Sequence, residues 1–466
     1  SALMTIIYGI AQGREGIFDS WKHFTVRLMK YLGLDSIQEV GYPPRQRIAT
    51  AAFYVTRGSE ANKGNFAEAI LDIELLFGVT KEDLREKEPL KLSEKLTIIT
   101  AAQKVATTTD GNAKFRDAVR EMSDIFDIEK ERHHLEIPDK VRLITAVYET
   151  MTIKDGIKKF KDAVMGIDDI FNITEDELQR SLDIAEKIKV ITAAYHIARA
   201  PDGMKIFEET IKKIGEKFNI TDAQMKGISA DGSEGLALHD KIRLITAGYA
   251  VALSAHSKGL EVFSRAIIAI GDIFGISDNE MKGIASEGRE SLVLSDRMRL
   301  ITAGYQAAQS GGGVSQFRRT VKGIKDIFDI SDDSLKRELK LSDKMSFITA
   351  AYHVNLAKNG LDRFNKMIAR DLINQIPHMT LESKVGFITT YASRVRWSGV
   401  GAEEMVSAGL IGKYMPVTDI EFVKTDADTR KGIIRFKAYH IEDPQKSEVE
   451  ITINAGRAPP GCSMNT

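Results

Sequence analysis

Eight basic residues stand at one fixed offset along this chain: Arg45, Lys95, Lys140, Lys187, Lys241, Arg297, Lys344 and Lys384 each lie five positions before a threonine. Cations at such regular intervals can bind phosphates or an acidic peptide, or they can pair with internal acids and hold helices in place. Acids that could serve as internal partners recur too: Asp124, Asp169, Asp272 and Asp326 each fall near the far end of a helix. Asp139, Glu186 and Asp240 directly precede three of the cations. Each cation sits near the start of a helix, where the macrodipole disfavours positive charge, so another group must hold it there. The expectation is a structural ion-pair ladder in which Lys95, Lys140, Lys187, Lys241, Arg297 and Lys344 pair with the four aspartates and fix how successive units stack. Phosphate or acidic-peptide binding is the functional alternative.

Two further stretches resemble each other: Met225-Lys-Gly-Ile-Ser-Ala-Asp-Gly-Ser-Glu-Gly and Met281-Lys-Gly-Ile-Ala-Ser-Glu-Gly-Arg-Glu. Insertions at equivalent points of a repeat array emerge on one face, often the binding face. Lys226, Asp231, Glu234, Lys282, Glu287 and Arg289 are therefore candidate partner-binding residues; tolerated surface loops are the plainer alternative.

The remaining reactive side chains are scattered. His133 and His134 are adjacent, and His196 and His353 each follow a tyrosine, but no pair has His-x-x-x-His spacing. The one cysteine, Cys462, excludes a disulfide framework and a thiolate zinc cluster. No phosphate-binding glycine loop, nucleophile elbow or Cys/His pair occurs. Nothing recommends an enzyme, and no cofactor is expected. Asp-Gly marks a turn at Asp110, Asp155 and Asp202, whereas Lys258, Gly312 and Asn359 stand there in other units, so turn chemistry accounts for the position. This turn, followed by endings such as Phe218-Asn-Ile-Thr221, resembles the TerB-like family of small helical domains associated with tellurite resistance. That resemblance implies a metal site built from an acidic Asp-Gly turn and a following Glu. Asp202 with Glu208 or Glu209 comes nearest to it, and most units depart from the pattern.

The elements that carry these residues repeat. Ile-Thr-Ala-small strings recur around Thr50, Thr100, Thr145, Thr192, Thr246, Thr302, Thr349 and Thr389, at spacings of 40 to 56 residues, and Met4 to Tyr8 fits the same register. Each unit reads as an A helix bearing that string, a turn with Gly four residues before Phe, and an amphipathic B helix. Phe263, Ala266, Ile267, Ile270, Ile273 and Phe274 share one face of such a B helix. Gly at the turn suits a left-handed cap that ends the A helix. Capping boxes at Thr174/Glu177, Thr221/Gln224 and Ser277/Glu280 start a third, short helix. One unit is too small to bury its own apolar faces, so the predicted fold is mainly α, an α-solenoid of about nine three-helix repeats. Folding by pairs of units into compact globules is the alternative. The units lie near 1–40, 41–90, 91–135, 136–182, 183–235, 236–291, 292–339, 340–379 and 380–415. A small β-rich segment over 416–456 and a loose tail over 457–466 follow. The first helix reads as truncated, which suggests a segment of a longer protein.

Composition sets the outer bounds. Hydrophobic residues make up 43% and charged residues 28%, Pro occurs only 10 times, and the net charge is −1. These values fit a helical, water-soluble chain with no global attraction to nucleic acid or anionic membranes. No transmembrane segment is expected, and the cytoplasm is the expected compartment. The leading functional expectation is a non-catalytic scaffold or adaptor that binds a protein partner or self-associates. The alternatives are a metal- or stress-linked TerB-like module, membrane-associated through flanking segments, and an enzyme with a site between the array and the β segment.

Overall fold

In the computed structural model the recurrent Ile-Thr-Ala strings occupy matching positions in successive helices. The structure describes residues 17–36, 40–57, 60–86, 90–228, 234–253, 258–285, 290–310, 312–357, 359–371 and 376–397, with the backbone of 414–426, 431–440 and 448–453. The Met4–Tyr8 string and the tail over 457–466 lie outside them. The described chain is mainly helical and repeat-like. A helices run Tyr42–Arg57, Leu92–Thr107, Ile137–Thr152, Ile184–Arg199, Leu238–Ala252, Leu294–Gln309, Leu341–Leu356 and Leu381–Trp397. B helices run Glu60–Phe77, Gly111–Phe126, Gly156–Phe171, Gly203–Phe218, Gly259–Phe274, Gly313–Phe328 and Gly360–Asp371.

A short third element follows most B helices. It is α-helical at Lys81–Arg85, Asp222–Met225 and Asp278–Met281, a 3₁₀ turn at Arg132–His134 and Ile376–His378, and a π turn at Glu177–Ser181 and Ser334–Glu338. The capping boxes form as read: the Thr174 amide donates to Glu177 Oε2 at 2.8 Å and the Glu177 amide to Thr174 Oγ1 at 3.2 Å. Thr221/Gln224 and Ser277/Glu280 do the same.

The chain divides into two compact units, residues 1–213 with 221–253, and residues 214–220 with 254–466. The last turn of the helix Gly203–Phe218 and its cap thus belong with the second unit. Within the first unit, Leu92–Thr107 packs against the A helices Tyr42–Arg57 and Ile137–Thr152 and against the B helices Glu60–Phe77 and Gly111–Phe126. In the second unit Leu341–Leu356 has the same four kinds of neighbour. An A helix covered on several sides needs apolar or small residues all round, which explains why its apolar positions run almost without a break. Ile99, Ile144, Ile191, Ile245, Ile301 and Ile348, each just before the repeat threonine, are at most 1% exposed. The threonine hydroxyl bonds back to the carbonyl four residues earlier, as from Thr145 to Val141 at 2.7 Å and from Thr302 to Met298 at 2.9 Å. Small residues permit the close approach: a Cβ on Gly248 would lie 2.3 Å from Ile211 Cδ1, and one on Gly304 would lie 2.2 Å from Ile267 Cδ1.

On the B helices, Phe263, Ala266, Ile267, Ile270 and Phe274 are fully buried, while Ile273 is only half-buried at the edge of that face. Gly313 is itself left-handed at φ 54°, as expected, but at four other turns the glycine departs from that role. The left-handed residue is the one before it, Asp110, Asp155, Asp202 or Asn359, with φ between 50° and 55°. The glycine opens the B helix, tight against the end of the A helix: a Cβ on Gly156 would stand 1.8 Å from the Thr150 carbonyl oxygen. Close backbone approach therefore demands glycine, whereas short polar side chains tolerate the left-handed position beside it. Gly156→Ala is expected to cost about 3 kcal/mol, and Asp155→Gly to change stability by less than about 1 kcal/mol, read from the midpoints of urea unfolding. Equal effects of the two substitutions would contradict this division of roles.

Candidate functional site

Six of the eight ladder cations are buried. Lys95, Lys140, Lys187, Lys241, Arg297 and Lys344 are between 2% and 7% exposed. Their hydrogen-bond acceptors include main-chain carbonyls at the ends of other helices. Lys140 Nζ donates to Gly78 O at 3.3 Å, Lys187 to Asp127 O at 3.4 Å, and Lys241 to Asn172 O at 3.1 Å. In the second unit, Arg297 Nη1 donates to Phe218 O and Asn219 O at 2.8 Å, Lys344 to Gly275 O at 3.5 Å, and Lys384 to Asp329 O at 3.1 Å. In these six cases the acceptors include the left-handed residue that caps a B helix two repeats back, whereas Lys95 donates to Glu86 O, just past the short helix Lys81–Arg85. Carbonyls in or just past the intervening short element also accept: Lys241 Nζ donates to Lys226 O at 3.2 Å and Lys344 Nζ to Lys336 O at 2.6 Å.

This corrects the expected acid partners. Asp124, Asp169, Asp272 and Asp326 stand exposed on the solvent side of their B helices, and Asp326 pairs with Lys322 on its own helix at 2.6 Å. A cation that is unfavourable at its own helix N-terminus is thus favourable at the C-terminus of another helix, where orphan carbonyls need donors. Acids contribute at the margin: Glu131 lies 3.9 Å from Lys187, and Asp168 and Glu177 partly offset the burial that lowers the Lys241 pKa. Burial also pulls Arg297 below the ordinary arginine value.

The A helices carry a second repeated set of side chains, partly buried, at fixed offsets from the same threonine. Three positions before it stand Arg47, Arg142, Lys189, Arg243 and Arg299; three positions after it stand Tyr148, Tyr195, Tyr249, Tyr305 and Tyr352. Asp139, Asp240 and Asp296 pair with the arginine three residues on, at 2.7, 2.8 and 3.0 Å. In the first unit the rings of Tyr195 and His196 stack at 4.1 Å, and His196 stacks on Tyr249 of the next A helix at 5.4 Å and 13°. Arg199 reaches Glu149 at 3.2 Å. Burial pushes the Tyr148 hydroxyl up to about 12, and it raises Tyr195 and Tyr249 as well. Burial, with Arg199 nearby, holds the His196 ring down at about 4. The threonine register that locates the ladder locates this set too, at offsets of minus three and plus three.

The two inserted segments close at the same point. The Leu236 amide donates to Gln224 O at 2.8 Å and the Leu292 amide to Glu280 O at 3.0 Å. Lys226 and Glu234 are exposed, while Lys282 is half-buried and paired with Asp278 at 2.5 Å. Asp231, Glu287 and Arg289 lie outside the described residues. Glu208 and Glu209 are exposed near the Asp202 turn, and among the described residues no group of three or more His, Cys, Asp or Glu side chains could hold a metal ion. Among them, too, no helix is long and apolar enough to cross a membrane. No protein-family model, curated protein or solved structure matches this chain.

Two measurements follow from the buried groups. Lys187→Met keeps the stem but leaves the Asp127 carbonyl without its cation, and is expected to cost about 2 kcal/mol in urea unfolding; Asp124→Asn is expected to cost less than about 0.5 kcal/mol. The folded-state pKa of His196 is depressed, so the unfolded chain takes up the proton first. Stability from this ring is complete above about pH 6.5, falls as pH drops, and levels off below about 4. His196→Phe should therefore flatten the stability profile between those limits by about 3 kcal/mol. An unchanged slope in that window would rule out the buried neutral ring.

Proposed function

We propose that this chain is a non-catalytic scaffold whose helical repeats bind a protein partner or a second copy of the chain, and that within each unit the repeats stack in the manner of an α-solenoid. A repeat that buries its apolar faces against its neighbours leaves surfaces recurring at a fixed pitch, and such surfaces suit extended partners. The observation that carries the reading is the pair of inserted segments. Each leaves the array at the same place, is pinned by the same backbone hydrogen bond, and exposes an isoleucine at the same position, Ile228 at 51% and Ile284 at 45%. Val293 beside the second is 60% exposed. Ile228 follows the exposed Lys226 and Ile284 follows Lys282, so each exposed isoleucine has a charged neighbour two residues earlier, the apolar-centre, polar-edge make-up of interaction sites. The expected β-rich closing segment over 416–456 belongs to the same reading. It is supported by antiparallel backbone pairing of Tyr414–Asp426 with Lys431–His440, and of Lys431–His440 with Glu448–Ile453.

The test is affinity capture from the native source with the parent chain and with Ile228→Asp/Ile284→Asp, alongside sedimentation of the purified chain. The parent is expected to retain a partner in stoichiometric amount, or to self-associate, and the double variant is expected to lose that association while keeping its unfolding midpoint. Undiminished association in the variant would remove the inserts from the reading. A stoichiometric divalent ion in the purified chain would favour the TerB-like alternative.

A further inference from the structure

The first two A helices depart from the repeat at two positions, and both departures open onto one groove. Between Tyr42–Arg57 and Leu92–Thr107 lies a cavity of about 270 Å³, lined by Gln46, Arg47, Thr50, Tyr54, Gln103 and Lys104 among others. Three positions after the repeat threonine, where five later A helices carry tyrosine, this second helix carries Gln103. Its side chain turns along its own helix, with Nε2 donating to Thr107 Oγ1 at 3.3 Å. In a later pair of A helices the corresponding tyrosine has a defined seat: Tyr249 stacks on His196, four positions after the threonine of the helix before it. The equivalent of His196 here is Tyr54, which is 41% exposed. The groove therefore offers an aromatic face without the ring that lies against its counterpart elsewhere.

The second departure concerns charge. Arg142, Arg243 and Arg299 each have an aspartate three residues earlier on their own helix. At the matching position before Arg47 stands Pro44. The guanidinium of Arg47 is oriented across the groove by Nη2 donating to Thr100 Oγ1 at 3.1 Å and Thr97 Oγ1 at 3.4 Å. Lys104 adds a second cation, and none of the lining residues is acidic. An aromatic face and two cations without a local counter-charge select a ring that bears an anion.

We propose that this groove binds an aromatic acid, with its ring on Tyr54 in the place of the missing tyrosine and its carboxylate or phosphate against Arg47 and Lys104. The proposal is independent of the inserted segments. The test is calorimetric titration of the full chain with benzoate and phenyl phosphate, using phenol and inorganic phosphate as probes of the ring alone and the anion alone. The aromatic acids are expected to bind at least tenfold more tightly than either single-feature probe. Gln103→Tyr restores the residue of the other repeats; it should abolish binding while raising or preserving the thermal midpoint. Arg47→Gln, at an exposed position, should weaken binding about tenfold without altering that midpoint. Equal binding of inorganic phosphate would overturn the role of the ring, and equal binding of phenol would overturn the role of the charge. Undiminished binding by Gln103→Tyr, or no binding of either aromatic acid at millimolar concentration, would overturn the site.

Discussion

Six consecutive repeats are each tied to others by a positive charge placed where water is scarce. Burying a lysine or arginine is costly unless strong acceptors surround the charged group. Here the acceptors are carbonyls that a helix must leave unbonded at its C-terminus. One contact thus resolves two deficits, since the cation gains oxygen ligands and the helix end gains a donor. Because the carbonyls belong to a B helix two repeats back and to the intervening short element, the register among three consecutive repeats is set at a single point. The left-handed residue that ends six of the described B helices turns its carbonyl toward that point, which links backbone conformation to charge burial.

Steric fit acts alongside this electrostatic tie. A helices meet neighbours on several sides, so isoleucine faces the core at one position while alanine or glycine admits a B helix at another. Gly248 and Gly304 occur where a phenylalanine and an isoleucine of a B helix press closest. With the interior constrained in this way, variation gathers on the A-helix surface and in the inserted segments. There the sequence changes from repeat to repeat while the backbone keeps its plan.

Much of this architecture was legible in the residues. The Ile-Thr-Ala register located the A helices, the phenylalanine spacing located the B helices, and the capping boxes located the short elements, because each reports a local rule of helix geometry. The cations were legible as a ladder but their partners were not. Aspartates near helix ends look like natural counter-ions in a linear sequence, whereas main-chain carbonyls carry no residue label and can be found only once helices two repeats apart are brought together. The turn glycine is only partly legible for a related reason: side-chain identity marks where a special conformation is needed, but not whether dihedral freedom, as at Gly313, or a close carbonyl, as at Gly156, demands it. The tyrosine and arginine positions on the A-helix surface were within reach of the same threonine register, yet their meaning rests on what the adjacent helix places opposite them.

The reach of the cation contacts bears on cooperativity. Their donors and acceptors are separated by 55 to 79 residues along the B-helix set. A repeat array is ordinarily treated as a line in which each member senses only its immediate neighbours. Ties that skip one member give this line second-neighbour coupling, so melting that begins in one repeat loosens the two that follow it. Excising a single repeat would leave a cation facing the end of the wrong helix. Shortening or duplication is then tolerated only if the skipped connection is rebuilt, and formation of such distant ties should make folding slower than its high helix content alone suggests.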